Sequence, residues 1–147
     1  ALAFFSSFSK LFSENKFRLK RIYFKTLPLL AILGLLTAVF MWASGPVMIP
    51  LVFGPEYRPA VPLFQLMGAL MFFFFVNSLA GNIIQNSPKV KKFLPWRLIN
   101  FLTALISGLI LIPKLGVIGG VWALIVGETF GLFINNFYVL KILNSKS

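Results

Sequence analysis

The sequence predicts an all-α integral membrane bundle of four transmembrane helices. Three observations predict it. Of the 147 residues, 59% are hydrophobic, and the mean hydropathy is +0.90, more apolar than a water-facing surface permits. The apolar residues gather in four runs, roughly Leu27–Phe53, Pro62–Ile84, Phe93–Ile112 and Val117–Leu140, and about twenty such residues suffice to cross the hydrocarbon core as a helix. The fourteen Lys and Arg residues then alternate between crowded and nearly empty gaps. Lys10, Lys16, Arg18, Lys20, Arg21 and Lys25 precede the first run, Lys89, Lys91, Lys92 and Arg97 lie around the second gap, and Lys141 and Lys146 close the chain. The other gaps hold only Arg58 and Lys114. Positive charge is retained on the cytoplasmic side during insertion, so both flanks of the four-span block are expected in the cytoplasm.

Two regions follow. Residues 1–26 are read as the tail of a preceding helix plus a basic cytoplasmic segment, and residues 27–147 as the four-span block. The chain starts at Ala1 without Met, Ala1–Phe8 is largely apolar, and the positive charge follows that stretch instead of preceding it. A signal peptide has the reverse order, so the chain is expected to be a C-terminal piece of something longer. Phe17–Thr26 mixes basic and apolar residues. It suits either an amphipathic segment lying along the interface or a solvated loop rich in retained charge.

Span one carries Pro28, Pro46 and Pro50. Proline is tolerated in a first turn, but Gly45-Pro46 and Pro50 predict a kink or an early helix end, with protein neighbours covering the freed carbonyls. Phe53-Gly54-Pro55-Glu56-Tyr57-Arg58-Pro59 is dense in breakers and predicts a tight external turn. In span two the run Phe72–Phe75 covers most of a helix circumference and must meet both lipid and protein. Beyond it come Asn77, Ser78, Asn82, Gln85 and Asn86, with Ser78, Asn82 and Gln85 on one face. Span three has a stripe of Asn100, Thr103, Ala104, Ser107 and Gly108 at three- and four-residue steps. Span four has Gly119, Ala123, Gly127 and Gly131 at steps of four, a ladder that lets another helix backbone come close. The aromatic residues Tyr23, Trp42, Tyr57, Trp96, Trp122 and Tyr138 fall mostly toward span ends, as interfacial belts do.

Chemistry is narrowly bounded. With no Cys and no His, disulfides, thiolates and the commonest zinc ligands are excluded. Glu14, Glu56 and Glu128 are the only acids, too far apart in this topology for paired acid–base work. No enzyme, cofactor or metal site is expected. A net charge of +11 in a soluble protein would point to nucleic acid; here the cations flank apolar spans, so membrane lipids are the expected partner and nucleic acid is not.

The candidate site residues are polar groups inside spans. Asn77, Ser78, Asn82, Gln85 and Asn86, with Asn100, Thr103 and Ser107, are read as one wall of a hydrated substrate cavity. The alternative is hydrogen bonding between helices, worth about 0.6 kcal/mol per contact in membranes. Arg97 and Lys92 stand at the rim as phosphate contacts, Arg97 foremost because its fork binds two oxygens. Glu128 is the one acid within a span. It is read either as a proton- or cation-coupling group or as a helix contact bonded to Asn100 or Asn135.

Two stretches carry a family resemblance. Phe53-Gly54-Pro55-Glu56-Tyr57-Arg58-Pro59-Ala60 resembles the F-G-x-x-Y-x-x-A element of polysaccharide and lipid-linked oligosaccharide flippases of the multidrug/oligosaccharidyl-lipid/polysaccharide exporter superfamily. Leu111-Ile112-Pro113-Lys114-Leu115-Gly116-Val117-Ile118-Gly119-Gly120-Val121-Trp122-Ala123 resembles that family's L-I-P-x-x-G-x-x-G-A-A-x-A, with Gly120 and Val121 in place of the Ala pair. The polar Asn77-Ser78, the Asn100 stripe and an acid near Glu128 also match the family's habits. The resemblance implies a MATE-like fold of twelve to fourteen helices in two pseudo-symmetric bundles. These rock around a central cavity to move undecaprenyl-linked saccharides across the inner membrane. This chain would supply four helices of the second bundle, the missing N-terminal helices or a second copy completing it. The cationic residues that meet pyrophosphate would lie mostly in the missing part. Two other functions compete: a small dimeric multidrug-type exporter working around Glu128, and a non-transporting scaffold that docks through the glycine ladder.

Overall fold

A computed structural model describes residues 16–87 and 90–144. The expected tail of an earlier helix, with Lys10 and Glu14, and the cations Lys89 and Lys146 lie outside the described residues. Four helices fill the rest: α1 (Lys16–Phe53), α2 (Val61–Gln85), α3 (Val90–Leu115) and α4 (Val117–Asn144), with a 3-10 turn at Pro55–Ala60 between the first two. All four are long and apolar enough to cross a membrane. The protein is an all-α membrane helical bundle.

The helices run antiparallel in chain order, yet they do not sit side by side in that order. α1 lies along α2, α2 along α4, and α4 along α3, while α2 and α3 barely meet. The result is a single layer, α1–α2–α4–α3. Small residues set the close seams. Gly34 of α1 faces the Phe72 backbone, where an added Cβ would come within 3.1 Å, and Gly68 of α2 faces Ala38 and Met41 at 3.0–3.3 Å. On the other seam, Gly131 meets Asn100, Gly127 meets Ala104, and Gly108 meets Ala123. The four-residue steps of α4 are thus answered by four-residue steps of α3, the small-xxx-small packing of membrane helices. The ladder read from the sequence has its partner inside this chain.

α1 departs from the sequence reading at both ends. It is one helix of 38 residues, about 57 Å at 1.5 Å per residue, against a hydrocarbon core of about 30 Å. Residues 16–26 are the projecting first turns of that helix. They are helix and not a loop, and Leu19 and Tyr23 are buried against α2 and α4. Tyr23 Oη donates a hydrogen bond to Asn136 Oδ1, and Lys20 Nζ donates to Asn144 Oδ1 at 3.0 Å.

At the other end, the helix continues through Gly45-Pro46 and Pro50 to Phe53 instead of stopping. Pro46 has no N–H to give to the carbonyl of Trp42 one turn back. Gln65 Nε2 of α2 donates to that carbonyl at 2.9 Å, so the freed acceptor is satisfied across the seam and the helix survives. The turn then closes on Gly54, whose φ of 109° belongs to a region that only glycine enters freely. Gly116 (φ 60°) makes the corresponding joint between α3 and α4.

The main core lies at the end of the layer that carries the basic residues: Leu19 and Tyr23 of α1, Leu79, Ala80, Ile83 and Ile84 of α2, Phe93 of α3, and Val139, Ile142 and Leu143 of α4. A smaller cluster of Leu70, Val121 and Ile125 joins α2 to α4 nearer the opposite end. Elsewhere the large apolar side chains of α1 and α3 point outward, among them Leu36, Phe40, Trp42, Phe101 and Leu109. In water such a surface would be prohibitive; hydrocarbon accepts it.

Candidate functional site

Because α4 lies between α2 and α3, its exposed face forms the floor of a trough with the two flanking helices as walls. Toward the basic end this trough is a cavity of about 460 Å³. Asn77, Ser78, Asn82 and Gln85 of α2 form one wall, Arg97 and Asn100 of α3 the other, and Glu128 and Asn135 of α4 the floor. Apolar patches from Phe74, Ile84, Val90 and Phe93 complete the lining. Gly81 also lines it, and a Cβ there would meet nothing, which leaves the trough wide at that level.

The centre is a carboxamide–carboxylate pair. Asn77 is buried at 7% exposure. Its Nδ2 donates to Glu128 Oε2 at 2.6 Å and to the Glu128 backbone carbonyl at 2.9 Å. The helix contact expected for Glu128 was Asn100 or Asn135; the bond goes instead to Asn77 on α2, although Asn100 and Asn135 line the same cavity. Chain order hides this, since α4 docks on α2 more extensively than sequence neighbours α2 and α3 dock on each other.

Three buried side-chain oxygens have no partner among the described residues; one, Ser44 Oγ, is on α1 away from the cavity, and the other two are the carboxamide oxygens Asn77 Oδ1 and Asn100 Oδ1. A buried acceptor without a donor costs about 1–3 kcal/mol. Both carboxamides belong to residues of the cavity wall, although these two oxygens are themselves shielded from solvent. Ser78 Oγ donates to the Phe75 carbonyl at 2.7 Å, which leaves its lone pairs available. Arg97 is exposed at the rim, and no ion pair to it is formed among the described residues.

Other candidate residues are placed elsewhere. Asn86 caps α2: its backbone N–H and Nδ2 both donate to the Asn82 carbonyl, at 3.2 and 2.8 Å, satisfying an acceptor that the helix end leaves open. Thr103 Oγ1 returns to the Ile99 carbonyl of its own helix at 2.9 Å, a common resting place for threonine in helices. Neither Thr103, Ser107, Asn86 nor Lys92 lines the cavity. The span-three stripe therefore divides. Ala104 and Gly108 serve the seam with α4, and Asn100 serves both the seam, against Gly131, and the cavity. Asn135 was weighed in the sequence only as a partner for Glu128. Its spacing of seven from Glu128, two turns along the same face, was the signal that it shares the floor.

The lining offers hydrogen bonds in both directions from five carboxamides (Asn77, Asn82, Gln85, Asn100, Asn135) and a hydroxyl, with one acid at the floor and one guanidinium at the mouth. Such a surface suits a polyhydroxylated, largely neutral ligand that carries an anionic group at one end. Among the described residues no group of His, Cys, Asp or Glu is arranged to hold a metal. No family model matches the chain, and neither a curated protein nor a solved structure matches it.

Proposed function

We propose that this chain is part of a membrane transporter that flips a lipid-linked oligosaccharide or polysaccharide precursor across the cytoplasmic membrane. The trough over α4 is one wall of the substrate path. Sugar hydroxyls exchange hydrogen bonds with Asn77, Asn82, Gln85 and Asn100, and Arg97 at the rim takes an oxygen pair of the linking phosphate. The observation that carries this reading is the convergence of five carboxamides, Asn77, Asn82, Gln85, Asn100 and Asn135, with Ser78 on one cavity, a lining that a hydroxyl-rich ligand pairs with and an apolar drug does not. The resemblance of Phe53–Ala60 and Leu111–Ala123 to flippase elements supports it from the sequence side. The basic end faces the cytoplasm by the retention of positive charge, which puts Arg97 where a cytoplasmically made saccharide lipid arrives.

Alternating access needs two bodies moving about one site. A single layer of four helices supplies one, and the other comes from further helices or a second copy. The scaffold reading loses its docking face, since the glycine ladder is covered by α3. The small-exporter reading loses a free acid, since Glu128 is held by Asn77.

The test is transport in proteoliposomes by the full-length protein, with a fluorescent polyprenyl-pyrophosphate saccharide. Asn100→Leu and Arg97→Gln are each expected to cut the initial rate at least tenfold, while Gly120→Ala leaves it unchanged. Wild-type rates in both cavity variants, with intact folding, would sink the proposal. Glu128→Gln separates coupling from packing: loss of the dependence on an ion gradient marks coupling, and unchanged transport leaves Glu128 a packing residue.

A further inference from the structure

On the opposite face of the α3–α4 seam lies a second concavity, and it is built differently. It encloses about 440 Å³ and is lined by Trp96 of α3 with Phe133, Ile134, Phe137, Tyr138 and Lys141 of α4. Polar groups occur only at its basic end. Lys141 follows Phe137 by one helical turn, and Lys92 precedes Trp96 by one turn, so each helix places a lysine one turn beyond an aromatic ring at the same end of the layer. Trp and Tyr beside Lys is the arrangement found at headgroup level. Tyr138 is fixed there by its ring contact with Phe93, centroids 4.9 Å apart.

We propose that this groove is a binding site for an anionic phospholipid of the leaflet at the basic end, its phosphate between Lys141 and Lys92 and one acyl chain along Phe137 and Phe133. Length and charge both fit. Phe133 to Lys141 spans eight residues, about 12 Å along the axis, close to the ~15 Å depth of one leaflet's hydrocarbon. The groove thus matches a single-leaflet lipid. Among the described residues no acid lies near the two lysines. The described acids are Glu56, in the turn at the far end, and Glu128, thirteen residues from Lys141 and so about 20 Å along α4, facing the other trough. An anion from outside is what two lysines over an apolar slot select.

The experiment uses the full chain in vesicles, with Trp42 and Trp122 replaced by Phe so that Trp96 alone fluoresces. Brominated phosphatidylglycerol is compared with brominated phosphatidylcholine at equal mole fraction. We expect phosphatidylglycerol to half-quench Trp96 at a mole fraction roughly 25-fold lower, about fivefold from each of the two lysines. Lys141→Gln with Lys92→Gln removes the preference while quenching by phosphatidylcholine persists, and Lys114→Gln at the far end changes nothing. Equal quenching by both lipids overturns the proposal. So does protection from both, which would mean that a protein helix or a second copy fills the slot. If the tryptophan variants fail to fold, the thermal stability of the detergent-purified wild-type chain decides. Selective stabilisation by phosphatidylglycerol, lost in the lysine variants, supports the site, and equal stabilisation by both lipids rejects it.

Discussion

Gly127→Ala measures how closely α3 and α4 approach. A Cβ at position 127 would lie 2.8 Å from Ala104 Cβ and 3.5 Å from Ala104 Cα. Non-bonded carbons rest at about 3.5–4.0 Å, so roughly 1 Å must be recovered. Ala104 cannot recover it by rotation, since its side chain is a single atom on a helix backbone; the helices themselves must part. Overpacking of this kind costs about 1–3 kcal/mol. Alanine also gains up to about 1 kcal/mol over glycine in helix propensity, which would mask part of the loss. Gly120→Ala supplies the reference, because there the nearest atom is Ile112 Cγ1 at 3.9 Å: the same propensity gain without the collision. The difference between the two variants, read from denaturant unfolding in detergent by far-ultraviolet circular dichroism, should be about 1–3 kcal/mol against Gly127→Ala. Adding Ala104→Gly moves the methyl from one helix to the other and should restore most of the loss, a coupling that a double-mutant cycle reads directly. If Gly127→Ala unfolds like Gly120→Ala, the seam is looser than described and the packing argument fails.

Three further outcomes are expected. Gln65→Leu removes the donor that serves the Trp42 carbonyl and should cost about 0.6–1.7 kcal/mol; in a Pro46→Ala background, where the helix serves its own carbonyl, the same change should cost nearly nothing. Tyr23→Phe loses the bond to Asn136 at about 1 kcal/mol, and faster amide exchange in the first turns of α1 would register it. Three helices separate Tyr57 from the end of α4, so reporter fusions at Tyr57 and after Asn144 should report opposite compartments; the same compartment for both would break the topology.

The sequence made the four spans legible to within a few residues at most ends, because runs of apolar residues and clusters of charge are local signals. The turn around Gly54 was equally plain. What stayed hidden depended on partners distant along the chain. The continuity of α1 through Pro46 rests on Gln65, nineteen positions later. The helical state of residues 16–26 rests on Leu19 and Tyr23 fitting against Ala80 and Val139, which no local pattern announces. The spans are apolar on nearly every side, so periodicity could not say which face meets lipid and which meets protein. That is why the partner of Glu128 was sought on α3 and α4 when it lies on α2. Of the polar residues singled out, those facing α4 across the trough converge, whereas Asn86 and Thr103 are occupied by their own helices.

The spatial order α1–α2–α4–α3 has a consequence for biogenesis. A ribosome delivers α3 before α4, yet α3 has almost nothing to dock on until α4 slides in between it and α2. For that interval Asn100 must face acyl chains or shelter in the insertion machinery, while α1 and α2 can already pair as a hairpin. The fourth helix to emerge is therefore the keystone of the layer. Nascent chains stopped after Leu115 should be cleared by membrane proteases faster than chains carried through Asn144, a difference that pulse-labelling can time.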